Sequence, residues 1–306
     1  MGLSIKMMLP ENFLKEEIRC GYTVSSKLKK IWAIELDLLN ELMRVCQKHH
    51  IKMQVSYGTL LGAVRHKGFI PWDDDLDVWL TRDQYNKLLE VAPHEFKSPY
   101  FLQTALNDRQ FYLPYARLRN SETTGIIYGQ ESLDYNNGIY VDVYVIDGFV
   151  ESRFLFYLQL IFRRITTKCL TLYYQDGSRS GRCGLIRNVL KIFRPFIRWV
   201  KFDTWFRLNN RILAFYNKSA RRFSIVYEMC WKPYTHWITR EELADTISIP
   251  FENLMIPAPR RYDEVLRRMY GDYMTFPPPD QRGKWHEGKI RFEPDIPYKE
   301  FLGQKK

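Results

Sequence analysis

Asp73, Asp74, Asp75, Leu76, Asp77, Val78, Trp79 and Leu80 set carboxylates and large apolar side chains side by side in a single short run. Side chains of a strand alternate between its two faces. A strand here sends Leu76 and Val78 into a core and projects Asp75 and Asp77 together from the opposite face. An isolated acidic pair is ordinarily a solvated turn, but this one is embedded in residues that read as buried, and a buried charge is costly without a partner. Neighbouring carboxylates raise one another's pKa, and a divalent cation relieves that repulsion. An all-oxygen ligand set suits magnesium or manganese. Asp142 poses the same problem on a second strand, where Ile139, Val141, Val143 and Val145 alternate with Tyr140, Asp142 and Tyr144. Together these residues predict a three-carboxylate site.

The elements around the acidic run are predicted from periodicity. Apolar residues from Leu28 to Cys46 follow the spacing of an amphipathic helix, with Ser26 as its cap. Ile51 to Tyr57 alternates as a half-buried strand ending at Gly58. A short helix over Leu60–Arg65, a strand over Asp75–Leu80 and a helix over Arg82–Val91 capped by Thr81 follow. The fold class is α/β (α+β), a mixed-sheet core with flanking helices. The expected division is a catalytic core over 1–150, a basic, aromatic-rich helical insertion over 151–222, and a Pro-rich region over 223–306 that packs back as loops and short helices.

Gly58 and Thr59 stand at the expected strand-to-helix turn. A glycine there lets backbone approach a phosphate, and the amides of a helix start bind one. Arg65 follows with His66 and Lys67, and a guanidinium binds phosphate bidentately.

The formal charge of +11 points to an anionic partner, and it is not evenly spread. Residues 151–222 hold 16 basic and 3 acidic residues, net +13, which leaves the rest of the chain at −2. The basicity is a local device. Five widely spaced cysteines (Cys20, Cys46, Cys169, Cys183, Cys230) form no C-x-x-C pair, which argues against a zinc site or disulfide framework and fits a reducing compartment. Met1 to Phe13 has no signal-peptide pattern, and Lys6 stands where a myristoylation signal needs Ser or Thr. The most apolar short stretch, Phe154–Phe162, is about half of the roughly 20 residues a bilayer span needs. The expected location is cytoplasmic, at the membrane periphery.

The wording YGTLLGAVRHKGFIPWDDDLDV, with YVDVYVIDG downstream and IPAPRRYDEVLRRMYGDYMTFPPPDQRGKWH near the end, resembles the LicD family. That family includes bacterial phosphocholine transferases and, distantly, fukutin and the fukutin-related protein. The resemblance implies a nucleotidyltransferase-like core with Asp75 and Asp77 as metal ligands, Asp142 as the third carboxylate, and Asp73 beside them. It also implies magnesium or manganese as the metal, and a CDP-linked donor as cosubstrate. The donor is most often CDP-choline, with CDP-ribitol and CDP-glycerol open, and CMP leaves. Tyr57, Gly58, Thr59, Arg65 and Arg117 are the expected donor contacts, with Arg119 and Thr123 near them in the family pattern. Arg282 and His286, clustered with Lys284 and Trp285, are candidate phosphate or acceptor contacts.

Choline needs aromatic faces, because a quaternary ammonium makes no hydrogen bond. Tyr57, Trp72, Trp79, Tyr128 and Trp285 are the candidates nearest the motifs. The partners expected are a nucleotide-activated small molecule, a glycan or lipid-linked glycan and an anionic membrane surface. Arg163, Arg164, Arg187, Lys191, Arg194, Arg198 and Lys201, set among apolar residues, suggest the membrane contact. A nucleic-acid-directed transferase would use the same aspartates and is the less favoured reading. A non-catalytic membrane adaptor would show no metal-dependent activity.

Overall fold

The computed structural model describes residues 3–108, 110–174, 184–225, 236–283 and 289–303, with backbone only over 184–191. Two short strands, β1 (Glu17–Arg19) and β2 (Tyr22–Val24), pair as a hairpin ahead of the long helix α1 (Ser26–Lys48). The cap of α1 is Ser25, one residue earlier than predicted. Its hydroxyl accepts from the Leu28 amide at 3.2 Å, because the helix begins at Ser26 itself. The α1 face bearing Trp32, Leu38, Leu39 and Leu42 is buried, and each such side chain contributes roughly 1.5–3 kcal/mol.

After α1 come β3 (Gln54–Val55), α2 (Tyr57–His66), β4 (Asp77–Thr81), α3 (Arg82–Glu95), β5 (Tyr100–Gln103), β6 (Ala116–Asn120), β7 (Thr124–Ile127) and β8 (Ile139–Phe149). The strand expected from Ile51 to Tyr57 is cut to two residues because α2 starts at Tyr57, three residues before the predicted helix. Thr81 occupies the N-cap position of α3 without a side-chain capping bond. All of β8 is buried, so its Val-rich alternation reflects chemistry on two covered faces.

The remaining elements are α4 (Arg153–Tyr174), α5 (Gly184–Trp199), α6 (Phe202–Leu213), β9 (Arg222–Ser224), β10 (Ile238–Thr239), α7 (Arg240–Ala244), β11 (Thr246–Phe251), β12 (Leu254–Pro259), α8 (Tyr262–Tyr270), β13 (Ile290–Glu293) and α9 (Tyr298–Gly303). A seven-stranded mixed sheet runs β10-β9-β8-β4-β3, with β6 also on β8 and β5 on β6. It takes strands from both sides of the basic helices. The C-terminal region is more regular than predicted: β11 and β12 form an antiparallel hairpin of six residue pairs.

The basic helices are keyed to the sheet through Asp147 near the end of β8. Arg82, at the start of α3, forms a bidentate ion pair with Asp147, and the Arg82 guanidinium also donates to Asn210 of α6 at 2.7 Å. The Asn217 amide donates to Asp147 at 2.8 Å.

Candidate active site

Parallel pairing of β4 with β8 sets Asp77 opposite Asp142, which places both carboxylates on one side of the sheet. Antiparallel pairing of β6 sets Arg117 opposite the same Asp142. Arg117 Nε donates to Asp142 Oδ1 at 2.7 Å, and the Tyr144 hydroxyl donates to Oδ2 at 3.3 Å. Burial, the largest single influence, would lower the Arg117 pKa, but Asp142 together with Tyr140, Tyr115 and Tyr135 outweighs it and holds the guanidinium well above its ordinary value. Asp142 is therefore an arginine-paired carboxylate and is not among the residues lining the neighbouring cleft. The same holds for Arg117, expected as a donor contact; its guanidinium stacks 4.0 Å over the Tyr140 ring.

Arg119 and Thr123 serve the fold. Arg119 is fully buried, donates to Gln103 Oε1 at 2.6 Å and to the Gly138 carbonyl, and is lowered to about 10 by burial and then by Arg117. The Thr123 hydroxyl bridges the Asn120 carbonyl and the Ile139 amide.

A cleft of about 690 Å³ lies beside this pair. Its lining includes Gly58, Arg65, Asp73, Asp75 and Asp77 from the motif region, with Trp72, Tyr270, Tyr273 and Phe276 as aromatic walls. Asp75 precedes β4, so strand parity does not place it. The ladder extends back only through the Asp142 amide, which donates to the Leu76 carbonyl at 3.0 Å. Asp75 and Asp77 nevertheless open into one space.

Hydrogen bonds from the start of α2 and from α1 hold the acidic run in place. The Ser56 amide donates to the Asp77 carbonyl at 3.0 Å, and the Asp77 amide donates to Thr59 Oγ1 at 2.8 Å. Trp32 Nε1 donates to the Asp73 carbonyl at 2.9 Å. Gly58 lies against the Asp73 side chain: a Cβ there would stand 2.9 Å from Asp73 Oδ2. Gly62 would collide with the Gly68 carbonyl if it carried a Cβ, so the loop carrying Ile70 and Trp72 passes directly over α2. The first helical bond of α2 runs from the Leu60 amide to the Ser56 carbonyl, which leaves the Gly58 and Thr59 amides outside the helical ladder.

The cleft carboxylates raise the pKa of the groups around them. Glu35, buried in α1, has its carboxyl raised well above the usual range by burial and then by Asp75, Asp74, Asp73 and Asp77. Burial and then Asp77, Asp73 and Asp75 likewise raise the Tyr270 hydroxyl. The carboxylates Asp73, Asp75 and Asp77 are chemically suited to a hard divalent cation, and their field favours one. Among the described residues, no three His, Cys, Asp or Glu side chains already converge as a ready-made ligand set.

Arg65 lines the cleft with its Nη1 bonded to the Tyr273 carbonyl at 2.7 Å and its Nε donating to His66 Nε2 at 2.9 Å. It ties α2 to the segment after α8. Arg282 stacks at 4.9 Å over Trp72 and donates to the Pro277 and Cys20 carbonyls. His286, Lys284 and Trp285 lie outside the described residues. Of the expected aromatic walls, Trp72 is in the cleft, while Tyr57 packs edge-on to Trp79 and Tyr144. Trp79 is buried against Gln54, and Tyr128 is exposed elsewhere.

The family model described as LicD/FKTN/FKRP, nucleotidyltransferase domain, matches residues 50–157, the stretch from β3 to α4 that carries the acidic run and the Arg117–Asp142 pair. Residues 50–157 are thus similar to that family's domain. Over 268 residues the chain is 24% identical to the lipopolysaccharide cholinephosphotransferase LicD of Haemophilus influenzae, covering 82% of this chain and 92% of that protein. Shorter matches are to uncharacterized proteins of Rickettsia prowazekii, 41% identical over 56 residues (18% of this chain, 21% of that one), and of Rickettsia typhi, 40% over 60 residues (20% and 19%).

The walls of the cleft include residues that sequence reasoning missed. Tyr270, Tyr273 and Phe276 come from the end of α8 and the segment after it, a stretch legible only as a likeness to the family's ending. Glu35 carried a signal that was not used: an acidic residue on the apolar face of a strongly amphipathic helix.

Proposed function

We propose that this chain transfers a phosphorylated alcohol, phosphocholine in the first instance, from a CDP-linked donor to a hydroxyl of a cell-surface glycan or its lipid-linked precursor. The observation that carries this is the composition of one cleft: Asp73 and Asp75 from the loop before β4 and Asp77 at the start of β4, with Arg65 and the rings of Trp72, Tyr270 and Phe276 around them. The likeness to a lipopolysaccharide cholinephosphotransferase over 82% of the chain supports the same reading.

Asp75 and Asp77, with Asp73 beside them, would hold magnesium, which when bound neutralises the donor's diphosphate. Gly58 and Arg65, which line the cleft, and the Thr59 amide beside them would meet the same anion. The aromatic faces suit a quaternary ammonium. The acceptor oxygen forms a bond to the phosphorus bearing choline, the bridging P–O bond breaks, and CMP departs with its electron pair. The acceptor's proton passes to a cleft carboxylate. Positioning and charge stabilisation supply most of the rate in such displacements. Asp142, held by Arg117 and Tyr144, fixes the sheet beneath the cleft.

Incubation with magnesium and a panel of CDP-choline, CDP-ribitol, CDP-glycerol, ATP and CTP tests the proposal by CMP release in the presence of candidate glycans. CDP-choline turnover that Asp75→Asn and Asp77→Asn each abolish, with melting unchanged, is the expected result. Turnover of ATP or CTP with no CDP donor used overturns it.

A further inference from the structure

Helix α4 is apolar on two sides. Its inward face buries Phe156, Leu160 and Leu170, which is all that packing on the core requires. A second stripe containing Phe154, Phe162 and Ile165 points away from the core, 75%, 49% and 52% exposed. On α5, which packs against α4, Phe196 and Trp199 are 68% and 89% exposed. Exposed cations stand among these residues: Arg153 and Arg164 beside the α4 stripe, Arg198 and Lys201 beside that of α5. Arg163, grouped with them from sequence, is buried on the inward face, and Arg194 donates to the Leu172 and Tyr174 carbonyls at the end of α4. The side chains of Arg187 and Lys191 lie outside the described residues.

The geometry points to an interfacial docking surface for an anionic phospholipid bilayer, made by the outward faces of α4 and α5. Apolar side chains would enter the headgroup boundary while the cations meet lipid phosphates. Among the described residues no helix is long and apolar enough to cross a membrane, so these helices lie in the interface. A second copy of the chain is the poorer occupant, because it would bring another +13 segment against this one. A nucleic acid would leave Phe154, Phe162 and Trp199 facing phosphate and water. The inference goes beyond the phosphotransferase reading, since nothing in it depends on the donor or the reaction.

Cosedimentation of the full chain with vesicles, without donor or acceptor, tests it. Binding to phosphatidylcholine–phosphatidylglycerol vesicles, but not to phosphatidylcholine alone, is expected, and salt should weaken it. The double variant Phe162→Asp/Ile165→Asp should lower partition by roughly a hundredfold while keeping the parent's circular dichroism and melting. Should that variant fail to fold, Phe196→Asp/Trp199→Asp makes the same test on α5. Binding by folded variants equal to the parent overturns the inference, as does equal binding to neutral and anionic vesicles. Self-association in the absence of vesicles that these substitutions abolish also overturns it.

Discussion

Arg117 Nε stands 2.7 Å from Asp142 Oδ1 with both residues buried, so the third acidic residue of the motif set is tied to a cation supplied by its neighbour strand. Breaking such a pair leaves a buried charge alone and costs about 3–5 kcal/mol. Arg117→Met should therefore lower stability by that order in urea unfolding. The double variant Arg117→Met/Asp142→Leu should recover most of the loss. A double variant as unstable as the single one would show that the stack on Tyr140 is what matters.

Gly58→Ala should separate stability from activity. Alanine is the better helix former by about 1 kcal/mol, so melting should hold or rise. Its Cβ would meet the Asp73 carboxylate and displace it within the cleft. A fall in CMP release of about tenfold or more is expected. Full activity would remove Asp73 from the machinery.

His66 is held to about 4 by burial and then by the Arg65 and Arg19 charges, against 6.5 unperturbed. Between those values the unfolded chain binds a proton at this position that the folded chain does not, so stability falls as pH drops from 6.5 toward 4. An NMR titration should find the His66 ring neutral at pH 5.5. A midpoint near 6.5 would contradict the packed arrangement of Arg65 Nε on His66 Nε2.

Glu35 works in the opposite sense. Its folded pKa is raised well above 4.5, so the folded chain keeps a proton that the unfolded chain releases, and stability is lost as pH rises above 4.5. Glu35→Gln keeps a neutral side chain of the same shape. The variant should match the parent at pH 4 and exceed it at pH 8 in denaturant midpoint. An unchanged pH slope would place the charge elsewhere.

The alternation around Asp142 and the helical spacing of α1 were readable because a single local period decides each. Asp77 was also legible, as a charge in an otherwise buried strand. Asp75 reached the right cleft by the wrong route: it sits in the loop before β4, where the α2 contacts, and not strand parity, direct the chain. The pairing of Arg117 with Asp142 depends on strand register between residues 25 positions apart, which no local pattern encodes. Tyr270 and Phe276 join the cleft only through the return of the C-terminal segment onto α2.

Asp77 and Thr81 are the two ends of β4, about 13 Å apart by strand rise, and Arg82 follows at once with its grip on Asp147 and on α6. If α4 and α5 rest on a bilayer, this stiff strut makes the elevation of the cleft above the lipid phosphates a constant of the molecule. An acceptor that is itself rooted in the same leaflet must then offer its hydroxyl at that height. The chain would thus discriminate among glycans by how far the reacting sugar stands from its anchor, acting as a gauge as well as a catalyst.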